Sequence, residues 1–184
     1  MKINIILISV LFSQFMFAQE VTFEGIEIKN GITYIKDTNE PFTGKVVVFF
    51  PNGKKSIEIE YKTGKETGTN RSWFETGNLM NETQITDGKI NGLWIDYYDN
   101  GKKQNEVTYE TDFMNGSCTR WYENGQVKEQ GNYRHCKEQG HWDYYYENGQ
   151  KQTEGEYIQA EKIGEWKVWD EKGELVRTQN FSNK

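Results

Sequence analysis

Apolar and polar positions alternate in short runs along this chain, and the runs return every 24 residues. A glycine opens each run: Gly44, Gly68, Gly92, Gly116, Gly140 and Gly164. Counting that glycine as position one, the sixth position is aromatic in every unit: Phe49, Trp73, Tyr97, Trp121, Tyr145 and Trp169. The seventh is aromatic in Phe50, Phe74, Tyr98, Tyr122 and Tyr146, and Asp170 ends that series. The third is Trp in Trp94, Trp142 and Trp166, and Val46, Asn70 or Cys118 elsewhere. A second glycine set follows at position ten: Gly53, Gly77, Gly101, Gly125, Gly149 and Gly173. Beyond it runs a polar stretch with Glu58, Glu82, Glu106, Gln130, Glu154 and Thr178 at one position. Three residues later stand Tyr61, Ile85, Tyr109, Tyr133, Tyr157 and Phe181.

Each unit therefore predicts two short strands joined by a tight turn. The pairs Asn52-Gly53, Asn100-Gly101, Asn124-Gly125 and Asn148-Gly149 predict type I′ hairpin turns, because Asn and Gly best tolerate positive φ at both central positions. Thr76 is β-branched and predicts a longer or bulged turn in the second unit. Glycines and turn pairs every dozen residues exclude helix. A fixed period of this size marks a repeat architecture. The expected fold is all-β: six 24-residue β-hairpin repeats forming an elongated, twisted antiparallel sheet. Units start at 44, 68, 92, 116, 140 and 164 and fill residues 44–184. Residues 20–43 are off the period and are expected to cap the array, since terminal units must hide one face.

Simple alternation leaves two arrangements open. Positions three and seven share a strand face and position six points the other way. Either both sheet faces carry aromatic rows, or a bulge near position five re-aims the strand.

Composition fits a thin array. Hydrophobic residues are 35% of the chain and aromatics alone 15%, so rings must supply much of the buried area. The net charge is −6 with both signs interleaved and no basic stripe, which argues against nucleic acid and against attraction to anionic membranes. Residues 1–19 read as a secretory signal peptide: Lys2, an apolar stretch over 3–17, then Ala18-Gln19. Met16 stands where a cleavage site wants a small residue, so the segment would tether the chain to a membrane if it stays uncleaved. The expected location is exported: periplasmic, outer-surface or secreted.

The pattern Gly-x-Trp-x-x-Tyr-Tyr-x-Asn-Gly, with Glu-x-x-Tyr after it, resembles the MORN-repeat variant. Residues 24–181, opened by Pro41-Phe-Thr-Gly44, look like the YwqK-type family, labelled as antitoxins of bacterial toxin–antitoxin systems. The resemblance implies a sheet of consecutive hairpins used as a protein-interaction surface, and membrane lipids have also been associated with such repeats.

Residues that carry chemistry are few. Cys118, His135, Cys136 and His141 are zinc-ligand types within 24 residues, but they lack a Cys-x-x-Cys pair and fall at different repeat positions. A Cys118–Cys136 disulfide suits an oxidising compartment. However, pairing about Asn124-Gly125 sets Cys118 opposite about residue 131 and leaves Cys136 beyond reach unless the link folds back. Glu58, Glu82, Glu106 and Glu154 stand one per unit, as a solvated or lysine-paired row and not as a catalytic pair. No enzyme, metal or cofactor is expected. The aromatic rows are the candidate site, with the sixth position (Trp73, Tyr97, Trp121, Tyr145, Trp169) expected as structural core. Trp94, Tyr98, Tyr122, Trp142 and Tyr146 are the expected partner-binding rings. A protein partner is expected first, a glycan or cell wall second and membrane lipid third.

Overall fold

The structure, a computed structural model, describes residues 19–182. Of the segment read as a signal peptide, all but Gln19 lies outside those residues. The N-terminal elements are β1 (Gln19–Val21), a 3-10 turn over Phe23–Gly25, β2 (Ile26–Lys29) and β3 (Ile32–Ile35). Six hairpins follow, and their strands match the six sequence units. They are β4 (Gly44–Phe49) with β5 (Lys55–Lys62), β7 (Gly68–Trp73) with β8 (Leu79–Thr86), and β9 (Lys89–Tyr97) with β10 (Lys103–Glu110). The other three are β11 (Phe113–Trp121) with β12 (Val127–Arg134), β13 (Lys137–Tyr145) with β14 (Lys151–Ile158), and β15 (Glu161–Trp169) with β16 (Leu175–Phe181). A two-residue strand, β6 (Lys65–Glu66), pairs with β5. β1 and β4–β16 form one 14-stranded sheet in which every hairpin pairs with the next and only β1, alongside β4, runs parallel; β2 and β3 pair in a separate two-stranded sheet. Beyond the N-terminal elements, strands contact their sheet neighbours and carry no second layer among the described residues.

The hairpin turns differ from the sequence expectation. At Asn100-Gly101 the Tyr98 N–H donates to Lys102 O and the Gly101 N–H to Tyr98 O, both at 2.9 Å. Gly101 has φ +80° while Asn100 stays out of the positive-φ region. This is a type I turn closed by a left-handed glycine, not a type I′ turn. Thr76 needs no longer loop, because its position in this geometry has negative φ; Phe74, Gly77 and Asn78 repeat the same bonds. Asn serves here through its amide: Asn100 Oδ1 accepts from the Lys102 N–H at 2.9 Å, and its Nδ2 donates 3.1 Å to Glu123 O in the next turn. Asn52, Asn124 and Asn148 repeat the reach to the following unit.

Type I′ geometry occurs instead in the links between hairpins. Thr111–Asp112, His135–Cys136 and Gln159–Ala160 all have φ between +49° and +70°. Left-handed backbone costs a non-glycine residue about 1–2 kcal/mol. A backbone bond to the preceding unit offsets it: Asp112, Cys136 and Ala160 donate to Ile90 O, Met114 O and Glu138 O at 2.9–3.0 Å. The array is thus laced along both edges.

Two irregularities recur in each unit. An extra residue bulges the returning strand: Trp121 faces Val127 but Arg120 faces Glu129, leaving Lys128 unpaired. Around the opening glycine the next strand gains residues: Gln130 faces Asp143 but Asn132 faces Gln139. With these fixed, the register resolves the open question. Both faces carry aromatic rows, and the bulge sits in the returning strand and not near position five.

At the N-terminal end, Ile26, Phe42, Val46 and Tyr61 form a buried cluster joined by Val21, Ile35 and Ile59. Phe42 is fully buried, and its N–H donates to Thr33 O while its carbonyl accepts from Gly64. Residues 19–42 therefore cover the first hairpin.

Candidate functional site: two aromatic faces with different tasks

Positions three, five, sixteen and eighteen share one face, here the core face. Directly paired across it are Val46 and Ile59, Asn70 and Thr83, Trp94 and Val107, Cys118 and Gly131, Trp142 and Gly155, and Trp166 and Gln179. Side-chain volumes along this row compensate. Trp142 lies flat over Gly131, where an added Cβ would stand 2.2 Å from the indole; Trp166 lies over Gly155 at 2.3 Å. Where Val107 fills that place, the neighbour is Cys118. Position eighteen supplies edge-on rings: Tyr133 to Trp142 at 5.1 Å and 76°, Tyr157 to Trp166 at 4.9 Å and 81°. Trp142 is 1% exposed, Cys118 1% and Trp166 3%, in a sheet that carries no second layer here.

All three core-face indoles also satisfy their N–H. Trp94 donates to Asp96 at 2.9 Å, Trp142 to Asn132 O at 3.2 Å and Trp166 to Glu156 O at 3.3 Å. Trp94 and Trp142, expected to grip a partner, are therefore committed to packing. The reason is geometric: position three faces the glycines and tyrosines of the flanking strands. Tyr98, Tyr122 and Tyr146 are committed as well. Each hydroxyl donates to the position-six carbonyl of the next unit, Trp121 O, Tyr145 O and Trp169 O, at 2.8–2.9 Å.

Positions four, six, twelve and fifteen form the open face. Here lie the rings expected as core. Trp73, Tyr97, Trp121, Tyr145 and Trp169 are only half-buried, and Phe49 is 51% exposed. The indole N–H groups of Trp73, Trp121 and Trp169 make no hydrogen bond among the described residues and are not buried orphans. Lys55, Lys103 and Lys151 hold their ammonium groups 5.9–6.0 Å from the rings of Trp73, Trp121 and Trp169. Each also pairs with a glutamate three residues on: Glu58 at 2.7 Å, Glu106, and Glu154 at 2.6 Å. Three glutamates of the row are thus lysine-paired, and the fourth, Glu82, pairs with Arg71 at 2.8 Å.

Glu58 goes further and is buried, at 5% exposure. Burial pushes its pKa up, but hydrogen bonds from the Lys45 and Lys55 ammonium groups outweigh this and hold it below the ordinary 4.5. Lys151 sits between Asp143 at 2.8 Å and Glu154 at 2.6 Å. Burial opposes its charge, and those carboxylates hold its pKa above the ordinary 10.5 nonetheless.

Sequence reasoning missed an alternation at twice the unit length. Trp stands at position six in every second unit, with Phe49, Tyr97 and Tyr145 between; Lys55, Lys103 and Lys151 alternate with Leu79, Val127 and Leu175 at position twelve. Reading positions six and twelve together would have shown it.

The cysteine and histidine group does not assemble. Cys118 and Cys136 are free, one buried and one exposed, and Cys118 faces Gly131 as the hairpin register required. Burial pushes the Cys118 thiol up to about 11. His141 instead joins Asp143 and Glu154, with ligand atoms within 4.8 Å of one another. The Lys151 ammonium already bridges the two carboxylates. Clefts along the sheet, of about 250–330 Å³, are shallow gaps between neighbouring side chains.

Comparison with solved structures finds a likeness to a glycosylation-associated protein (Gap123) complex from Streptococcus agalactiae. Identity is 14% and the TM-score 0.35, over 69% of this chain and 21% of that one. Among curated proteins nothing matches. Comparison with protein families matches the MORN repeat variant over residues 42–63, 90–111, 114–135, 138–159 and 162–183. The unit left out is the second, where Thr76 replaces the usual Asn and Ile85 the aromatic residue that every other unit has at position eighteen. With five of its six hairpins matched, over more than half its length, the chain belongs to the MORN repeat variant family.

Proposed function

We propose that this protein is a non-enzymatic, exported repeat scaffold that binds another protein through its open face. On this reading the partner is an envelope or secreted protein, and the chain stands to it as an antitoxin-like binder. One observation carries the proposal: the six tryptophans divide into three whose N–H groups are bonded internally and three whose N–H groups make no hydrogen bond among the described residues, on a half-buried ring row. Rings that combine a large apolar surface with an unused donor are the groups that dominate protein interfaces. The paired Lys and Glu around them resemble the polar rim of such interfaces.

The test compares the wild-type protein with a Tyr97→Ala, Trp121→Ala, Tyr145→Ala variant as bait for envelope extract. A partner retained by the wild type and lost by a variant that still melts cooperatively supports the proposal. Equal retention by both, or none specific to the wild type, contradicts it.

A further inference from the structure

The spacing of the open-face rings constrains what can lie along them. Successive position-six rings are two strands apart, and strands are spaced about 4.8 Å, so the rings recur about every 9.6 Å along the sheet. A polyproline II helix rises about 3.1 Å per residue with three residues per turn, a repeat of about 9.3 Å. The two periods agree closely enough for every third residue of one to meet successive rings of the other over several turns. An extended β-strand at about 3.3 Å per residue turns its side chains over every second residue and does not keep this phase.

The chemistry agrees with the spacing. A polyproline II segment has no internal hydrogen bonds and leaves its carbonyls open. The open face offers donors unbonded among the described residues at Trp73, Trp121 and Trp169, one every 48 residues, which is one per two turns of such a ligand. Proline rings stack on aromatic surfaces and lose little entropy on binding because the helix is preformed. Charge selects further. The glutamates beside the rings are already paired with Lys55, Arg71, Lys103 and Lys151, so the selection comes from the chain's net charge of −6. A basic ligand is favoured over an acidic one.

We infer that the open face binds a proline-rich segment in polyproline II conformation, with prolines at three-residue intervals and basic residues between them. The inference rests on the open face being the binding face.

Indole signals of the full-length protein, recorded by 1H–15N correlation NMR, test it with named probes. Ac-(Pro-Pro-Lys)4-NH2 is expected to shift the N–H signals of Trp73, Trp121 and Trp169 and spare those of Trp94, Trp142 and Trp166. Halving its length should weaken binding at least severalfold, since fewer rings are engaged. Trp121→Phe keeps a ring and removes its donor, and should weaken binding about two- to tenfold. Ac-(Gly-Ser-Lys)4-NH2, equal in length and charge but without the helix, should bind far more weakly.

Equal binding of both peptides overturns the polyproline II assignment and leaves a protein-binding open face standing. Shifts with chitohexaose and none with the proline peptide overturn it in favour of a glycan. Shifts confined to Trp94, Trp142 and Trp166 would overturn the open face itself. No shift with any probe overturns the polyproline II assignment alone, because capture of the native partner tests the face separately.

Discussion

Glycine does two unlike jobs in this chain at positions that look alike in sequence. Gly101 is needed for its φ of +80°, whereas Gly131 and Gly155 are needed because an indole occupies the place of a side chain. Gly131→Val should therefore destabilise by about 2–4 kcal/mol, an overpacking cost made worse by a neighbour that cannot move out. Adding Trp142→Cys should recover part of that loss, because Val107 beside Cys118 is the same pair one unit earlier; chemical denaturation of both single variants and the double variant measures the coupling. Glu58 sets a second residue-scale expectation. Its folded pKa lies below the ordinary 4.5, so the stability it contributes is present above that value and disappears as pH falls through the folded pKa. Thermal melts from pH 6 to pH 2 should show an acid loss that is smaller in Glu58→Gln. Thiol reactivity separates the cysteines: Cys136 should label at once in the native protein, and Cys118, buried with its pKa raised to about 11, only on unfolding.

The hairpin is the element in which sequence and structure agree best, and the reasons for the disagreements are physical. Strand positions, the register that sets Cys118 opposite Gly131, and the exclusion of helix all follow from a 24-residue pattern. Turn type did not, because Asn-Gly serves two geometries: in one Asn supplies φ, in the other its amide bridges to the next turn, as Asn100 does. The true type I′ links were hidden because Gln159–Ala160 or His135–Cys136 carries no turn signal; the bond to the preceding unit imposes the conformation. Ala160→Gly should accordingly raise stability by about 1 kcal/mol by relieving a left-handed alanine while keeping the N–H bond to Glu138 O. Tyr122→Phe should lower it by about 0.5–1.5 kcal/mol through loss of the bond to Tyr145 O, with little change in partner binding.

At the scale of the whole molecule, a single sheet must provide both a core and a working surface. A layered domain buries one face of its sheet against a second layer. This chain makes its core face from compensating side chains, with Trp142 and Trp166 laid over glycines, and leaves the ring row of the opposite face half-buried. The sequence displayed both ring rows but not their division of labour, since the third position, which varies, holds the core, and the sixth, which never loses its ring, faces outward. Stability should then be distributed along the array, each hairpin depending on its neighbours through the core row, the turn amides and the link bonds. Truncating Trp142 should cost about 3–5 kcal/mol and truncating Trp121 much less.

Hydrogen exchange of the six indole N–H groups tests the two-face account most directly. The account predicts two sets of three: slow exchange at Trp94, Trp142 and Trp166, whose N–H groups are bonded to Asp96, Asn132 and Glu156, and fast exchange at Trp73, Trp121 and Trp169. Protection of Trp73, Trp121 and Trp169 equal to that of the core-face three would contradict it.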